Sequence, residues 1–306
     1  MEFTTAFNSI LMLILIMAIG FFFRKKNIVG NEASGTLSTI LVNIMLPALG
    51  YSVFAQNFSR QTISSYGADI MWSIAIVIIS FIMSVSLAKL IGKRGQLYDV
   101  IVYSLAIPNI GYIGYPMIEA VWGSGALFRM MIFCIPLNIA IYTVGVYILN
   151  PNRVFTLKKI LSPPMVGMMI GMVVGYFGIK MPAIVDNTVN TLKVCMAPLA
   201  MLLSGVVLAR QPIKELVSSW KTYVLAILKN FAMPLIIGAF LYTLGVRGEL
   251  FKIAVATVSM PMGLNAVVFP EAFGGDGTYG AQACFVSNLL AILSIPLTFY
   301  VINLIA

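Results

Sequence analysis

The chain has 306 residues, 60% of them apolar and only 9% charged, with a mean hydropathy of +0.99 and a formal net charge of +9. No soluble domain of this length needs so apolar a composition, which points to an all-α polytopic membrane protein with the lipid bilayer as its surroundings. The positive charge does not imply a nucleic-acid partner, because the basic residues are spread over short loops, as topology determinants are.

About 20 apolar residues cross a bilayer core, and on that rule the sequence holds ten spans. They cover residues 6–23, 35–55, 68–91, 97–121, 126–149, 162–179, 183–208, 219–245, 250–273 and 278–304. The first run has no basic residue before it and is followed by Arg24-Lys25-Lys26, the reverse of a secretory signal peptide, so it is expected to be a retained helix. Asn150-Pro151-Asn152-Arg153 through Lys158-Lys159 divides the chain near its middle. The expected organisation is a five-helix unit over 1–150, a cytoplasmic linker over 151–161 and a second five-helix unit over 162–306.

Basic residues concentrate in the odd-numbered loops: Arg24, Lys25 and Lys26; Lys89, Lys93 and Arg94; Arg153, Lys158 and Lys159; Arg210, Lys214 and Lys221. The even-numbered loops hold Arg60, Arg129, Lys180, Arg247 and Lys252. Cytoplasmic loops carry the Lys/Arg excess, so both termini are expected outside the cytoplasm. Compact loops and the lack of histidine favour a prokaryotic inner membrane.

Spans 4 and 9 are broken. Span 4 contains Ala106-Ile107-Pro108-Asn109-Ile110-Gly111-Tyr112-Ile113-Gly114, and span 9 contains Ser259-Met260-Pro261-Met262-Gly263-Leu264-Asn265. Proline removes a backbone donor and clashes with the preceding turn. In hydrocarbon, such breaks persist where they line a cavity or are buried in protein. The landmarks also recur: Pro47 and Pro198 are 151 residues apart, Pro108 and Pro261 are 153 apart. Each broken segment runs on to an aromatic-proline pair, Tyr115-Pro116 and Phe269-Pro270, and then to a glutamate. A repeat of five spans is odd, so the second copy must enter the membrane upside down, giving 5 + 5 inverted-topology repeats. Broken helices at matching places in such repeats mark a transporter's central site.

Several segments, in this order and spacing, carry a resemblance. They are Gly20 with the basic loop after it, Leu46-Pro47-Ala48-Leu49, Asn109 to Pro116, Ala197-Pro198-Leu199-Ala200-Met201-Leu202-Leu203-Ser204-Gly205, Leu228-Lys229-Asn230-Phe231-Ala232-Met233-Pro234-Leu235 and Pro261-Met262-Gly263. Together they cover nearly the whole chain, which resembles the auxin efflux carrier family, including bacterial members described as malate permeases. The resemblance implies a fold like that of bile-acid sodium symporters, with a scaffold part, a transport part and two helices that cross at their unwound points. It implies organic-anion substrates such as auxin, malate and other carboxylates. Plant members tend to carry asparagine at equivalent positions of both crossings. Here Asn109 follows Pro108 directly while Asn265 lies four residues after Pro261, which implies an asymmetric site.

The candidate substrate-binding residues are therefore Pro108, Asn109, Ile110 and Gly111 in span 4 and Pro261, Met262, Gly263 and Asn265 in span 9. An uncharged amide donates to a carboxylate and accepts from a hydrated cation. Half-helices starting after the breaks would aim positive dipole ends at the crossing, which favours an anion. Gly111, Gly114 and Gly263 would allow close backbone approach. Lys229 in span 8 and Lys193 in span 7 are cations at membrane depth, a functional signal by default; each would meet an anionic substrate or pair with an acid. Glu119 and Glu271 end the two half-helices, as proton or sodium carriers or as interfacial residues. The oxygens of Ser104, Thr257, Gln282, Ser287, Asn288 and Asn138 suit a hard coupling cation. Gly167, Gly171 and Gly175 predict a close helix contact, within one protomer or in a homodimer.

With no histidine there is no Ser-His-Asp triad, no histidine proton relay and no histidine-ligated metal site. Cys134, Cys195 and Cys284 lie in apolar segments without metal spacing and read as packing residues. No enzyme and no cofactor are expected beyond Na+ or H+ as a coupling ion. The expectation is a secondary transporter moving a small organic anion, malate-like or auxin-like, by alternating access. The alternatives are a passive organic-anion uniporter or channel, and a ligand-binding membrane sensor. Nothing in the sequence has the Gly-x4-Gly-Lys-[Ser/Thr] pattern of ATP-driven pumping.

Overall fold

The structure is a computed structural model that describes residues 2–30, 32–59, 65–91, 95–150 and 162–305. The expected linker over 151–161, and with it Arg153, Lys158 and Lys159, lies outside the described residues, as do Arg60, Lys93 and Arg94. The described residues are helical throughout, apart from their connections and one isolated antiparallel bridge between Pro108 and Met262.

In chain order the helices are α1 (Glu2–Lys25), α2 (Ala33–Asn57), α3 (Gly67–Ile91), α4 (Gln96–Ala106), α5 (Ile110–Phe133), α6 (Ile135–Leu149), α7 (Pro163–Phe177), α8 (Ala183–Leu208), α9 (Ile213–Leu216), α10 (Trp220–Thr243), α11 (Gly248–Ser259), α12 (Asn265–Ala272) and α13 (Thr278–Ile305). Six of them, α1, α2, α3, α8, α10 and α13, are long and apolar enough to cross a membrane alone. The α5–α6 pair, bent by 49°, makes a seventh. Helix α7, at 15 residues, is shorter than a full crossing. That is six or seven candidate crossings among the described residues where ten spans are expected, and the expected spans 4 and 9 are each cut by a break. Their halves α4 and α11 have 11 and 12 residues, and neither crosses the core by itself.

Proline shapes the long helices locally. A π-helical turn lies just before Pro47 (Leu41–Met45), before Pro116 (Ile110–Gly114) and before Pro234 (Leu228–Ala232). The wider turn relieves the clash between the proline ring and the preceding carbonyl, so each helix continues past its proline. Pro198 sits inside the unbroken α8. Gly123 takes φ 83°, ψ −178° and interrupts α5 between the expected spans 4 and 5.

Helices α1, α2, α7 and α8 pack on one another through glycines. The expected close contact of α7 is made inside the chain, against the second half of α2. A Cβ on Gly171 would stand 2.6 Å from the Tyr51 carbonyl oxygen, and one on Gly167 would collide with the Pro47 backbone. Gly20 of α1 and Gly205 of α8 face each other's helix equally closely, against the backbone of Leu202 and of Met17. Small residues let helix backbones approach where lipid gives no hydrophobic drive for association. Helices α3, α4, α6, α10, α11 and α13 make a second packed group around the breaks, and α1 also lies along α13.

Candidate functional site

The two breaks meet. Ile107 and Met260 are both extended, so the chain leaves the helical path at the ends of α4 and α11. The Asn109 N–H donates to the Pro261 carbonyl at 2.8 Å, beside the Pro108–Met262 bridge. Asn109 also starts α5: its Oδ1 accepts from the Tyr112 N–H at 3.2 Å, which leaves the side-chain NH2 to donate elsewhere. Met262 donates its N–H to Ser287 Oγ at 3.0 Å, and the Gly263 carbonyl accepts from Cys284 Sγ at 3.2 Å. Backbone groups freed by proline are thus met by protein, as a water-poor interior requires.

A cavity of about 150 Å³ lies beside this contact. Pro108, Asn109, Ile110 and Gly111 line it from one break, and Gly263, Leu264 and Asn265 from the other. The N-terminal ends of α5 and α12 therefore border it, each with a positive dipole end. The remaining wall comes from Tyr103 of α4, Tyr112 and Tyr115 of α5, Asn138 and Tyr142 of α6, Phe269 of α12, and from Ser38, Leu46, Met165 and Met168 of α2 and α7. Phe269 packs edge-on to Tyr103 at 6.3 Å and tilted to Tyr142 at 6.4 Å. Asn138 Nδ2 donates to the Tyr115 hydroxyl at 3.3 Å and to the Cys134 carbonyl at 3.0 Å. No Asp, Glu, Lys or Arg is among the lining residues.

Of the sequence candidates, the structure brings Pro108, Asn109, Ile110, Gly111, Gly263, Asn265 and Asn138 together on this wall. Pro261 and Met262 hold the contact between the breaks without lining the cavity. Of the three glycines expected to allow close backbone approach, only Gly114 is tightly surrounded: a Cβ there would stand 3.0 Å from the side-chain Cε of Met130 and 3.3 Å from the Asn109 carbonyl oxygen that its own N–H meets. A Cβ on Gly111 would meet open space, and one on Gly263 would make an ordinary 3.8 Å contact with Asn109 Cα.

The cations lie elsewhere. Lys193 Nζ donates to Glu119 Oε1 at 2.6 Å, joining α8 to α5. Arg210, just past the end of α8, pairs with Glu271 of α12 and donates to the Ser34 hydroxyl. Lys229 is buried and donates to the Leu105 carbonyl at 3.1 Å, at the C-terminal end of α4. A further ion-pair cluster joins Arg129 of α5 to Asp69 of α3 and Glu249 of α11, each at 2.7 Å. Among the coupling-ion candidates, Thr257 donates back to the Ile253 carbonyl at 2.7 Å. Ser104 Oγ, Gln282 Oε1 and Asn288 Oδ1 are buried without a hydrogen-bond partner among the described residues. None of these four lines the cavity.

Sequence reasoning used Tyr115 and Phe269 as landmarks of the breaks but named neither them nor Tyr103, Tyr112 and Tyr142 as site residues. A signal was present: Tyr112 lies three residues after Asn109, Tyr142 four after Asn138 and Phe269 four after Asn265, the spacings that share a helix face.

Comparison with known proteins agrees with a membrane carrier. The family described as membrane transport protein matches residues 5–154 and 149–299. An uncharacterised transporter of Methanothermobacter thermautotrophicus is 22% identical, over 97% of this chain and 98% of its own length. The uncharacterised transporter YfdV of Escherichia coli is 20% identical, over 98% of each chain. A probable auxin efflux carrier component 1b of Oryza sativa is 28% identical over 47% of this chain and 27% of its own. The match reaches almost from end to end, and the chain belongs to the membrane transport protein family, the family of the auxin efflux carriers: it is an integral membrane transporter and not an enzyme.

Proposed function

We propose that this transporter is a secondary carrier for a small organic monoanion, an amphipathic weak acid with one carboxylate and an apolar body. The observation that carries this reading is the wall of the cavity between the breaks: three asparagine amides, four tyrosines and a phenylalanine, with no charged side chain. One carboxylate would take its hydrogen bonds from Asn109 and Asn265 at the positive ends of α5 and α12. The second carboxylate of malate would be stripped of water with no cation to meet it, a heavy cost at membrane depth. An aromatic body would lie against Tyr103, Tyr112, Tyr142 and Phe269. The name of the rice relative makes an aryl-acetate a natural first probe.

The architecture we attach to this function is ten spans in 5 + 5 inverted repeats, with spans 4 and 9 crossing at the breaks and both termini outside a prokaryotic inner membrane. Support comes from the hydrogen bond and the bridge between the two breaks, at matching places in the two halves. Alternating access would move the group of α3–α6 and α10–α13 against α1, α2, α7 and α8. A homodimer would form through the scaffold part, the group of α1, α2, α7 and α8.

Uncoupled uniport is the second reading. It is favoured by the two glutamates at the half-helix ends, each held in an ion pair away from the cavity. If a coupling ion is used, the unpartnered oxygens of Ser104, Gln282 and Asn288 are the first to substitute. The test is uptake of labelled indole-3-acetate and of labelled malate into proteoliposomes, with an imposed sodium gradient, an imposed proton gradient and neither. Saturable indole-3-acetate uptake that malate does not compete away supports the reading. Malate uptake alone overturns the monoanion assignment. Accumulation against a gradient excludes uniport and names the ion.

A further inference from the structure

Two adjacent residues of α10 reach both breaks from behind. In the π-helical turn Leu228–Ala232, Lys229 and Asn230 are buried at 1% and 0% exposure. Lys229 Nζ donates to the Leu105 carbonyl, one of the end carbonyls of α4 that have no partner within their own helix. Asn230 exchanges two hydrogen bonds with Ser287 of α13. Its Nδ2 donates to the Ser287 carbonyl at 2.7 Å, and Ser287 Oγ donates back to Asn230 Oδ1 at 2.7 Å. Ser287 Oγ then accepts from the Met262 N–H at 3.0 Å. A hydroxyl has one proton. With that proton given to Asn230, the lone pairs of Ser287 are left for Met262, so the direction of every bond in the chain is determined. The remaining link is direct, from the Asn109 N–H to the Pro261 carbonyl.

These bonds join α4, α10, α13 and the break of α11–α12 into one buried ring around the crossing. The need for them is local. Pro261 breaks the helix, the Met262 N–H loses a helical partner, and an unmet donor in this interior costs free energy. Met262 is followed at once by Gly263, Leu264 and Asn265, which line the cavity. The orientation of the Met262 peptide therefore carries over to the start of α12 and to the Asn265 amide.

We infer that Lys229, Asn230 and Ser287 are positioning residues of the substrate site: they touch no substrate and hold the two breaks at the angle that presents Asn109 and Asn265 to it. Their effect on transport rests on the function proposed above; their effect on the backbone does not.

Two measurements on the purified protein separate these levels. The first is amide hydrogen exchange, read by mass spectrometry, in Ser287→Ala, Asn230→Ala and the double variant. In the peptide covering Met260 to Ala266, each single change is expected to raise exchange about tenfold, with the double no worse than the larger single. Peptides of α1 should stay as in the unaltered protein. Unchanged exchange in that peptide for Ser287→Ala, or equal increases throughout the chain, overturns the inference. The second is indole-3-acetate uptake by Ser287→Ala. The half-saturation concentration should rise about tenfold while the maximal rate stays within about twofold. A fall in maximal rate alone contradicts positioning. If the unaltered protein takes up no indole-3-acetate, the substrate reading falls and the exchange result still decides the role of Ser287.

Discussion

Lys229 separates a positioning role from a purely structural one. It pairs with no carboxylate among the described residues, and its ammonium has one acceptor, the Leu105 carbonyl. A charge at the centre of a membrane helix costs about 2.5–3.5 kcal/mol on insertion scales. Lys229→Met removes that cost and keeps the shape. The variant should keep a thermal midpoint at or above that of the unaltered protein, while indole-3-acetate uptake falls about tenfold through the loosened end of α4. A lower midpoint with intact uptake would make Lys229 a stability residue. The sequence marked Lys229 and Lys193 as unusual because cations are rare at that depth. It did not show their partners, because Glu119 and Leu105 are far away along the chain. Asn109 and Asn265 were legible because proline and glycine flag their segments. The tyrosines were not, because an aromatic side chain in an apolar span reads the same whether it packs in a core or lines a cavity.

Among the elements, glycines divide into two kinds that the sequence does not tell apart. Gly205 faces the backbone of α1 at a distance no side chain fits, whereas Gly111 faces open cavity space. Gly205→Val should cost about 1–3 kcal/mol or more by forcing α1 and α8 apart, seen as a lowered thermal midpoint and less monodisperse protein. Gly111→Ala should fold as the unaltered protein does and reduce uptake by filling the cavity. Equal stability of the two variants would contradict this assignment. The Gly167-Gly171-Gly175 stripe was legible as a close contact, because period-four small residues share one helix face; its partner α2 was not. The broken elements were legible through proline. Their halves are short enough that counting continuous helices gives fewer crossings than counting apolar stretches does.

Across the whole molecule, α8 and the turn just after it each hold a cation paired with the proposed moving group. Lys193 holds Glu119 of α5, and Arg210 holds Glu271 of α12. If α5 and α12 move against α8 during transport, a covalent bond at the first pair must stop it. In a Cys195→Ser background, Glu119→Cys with Lys193→Cys, bridged by a reducible thiol cross-linker, should lose uptake and regain it on reduction. Continued uptake by the bridged protein would show that these two parts do not move apart.

The central claim is that the contact between the two breaks is where the organic anion binds, and equilibrium binding tests it most directly. Labelled indole-3-acetate should bind the purified protein at one saturable site. Asn109→Ala should lose that binding by tenfold or more, about the value of one charge-assisted hydrogen bond in a dry site, while the protein stays folded with a thermal midpoint lowered only by the lost cap on the Tyr112 N–H. Undiminished binding by a folded Asn109→Ala variant would contradict the account and move the site away from the crossing.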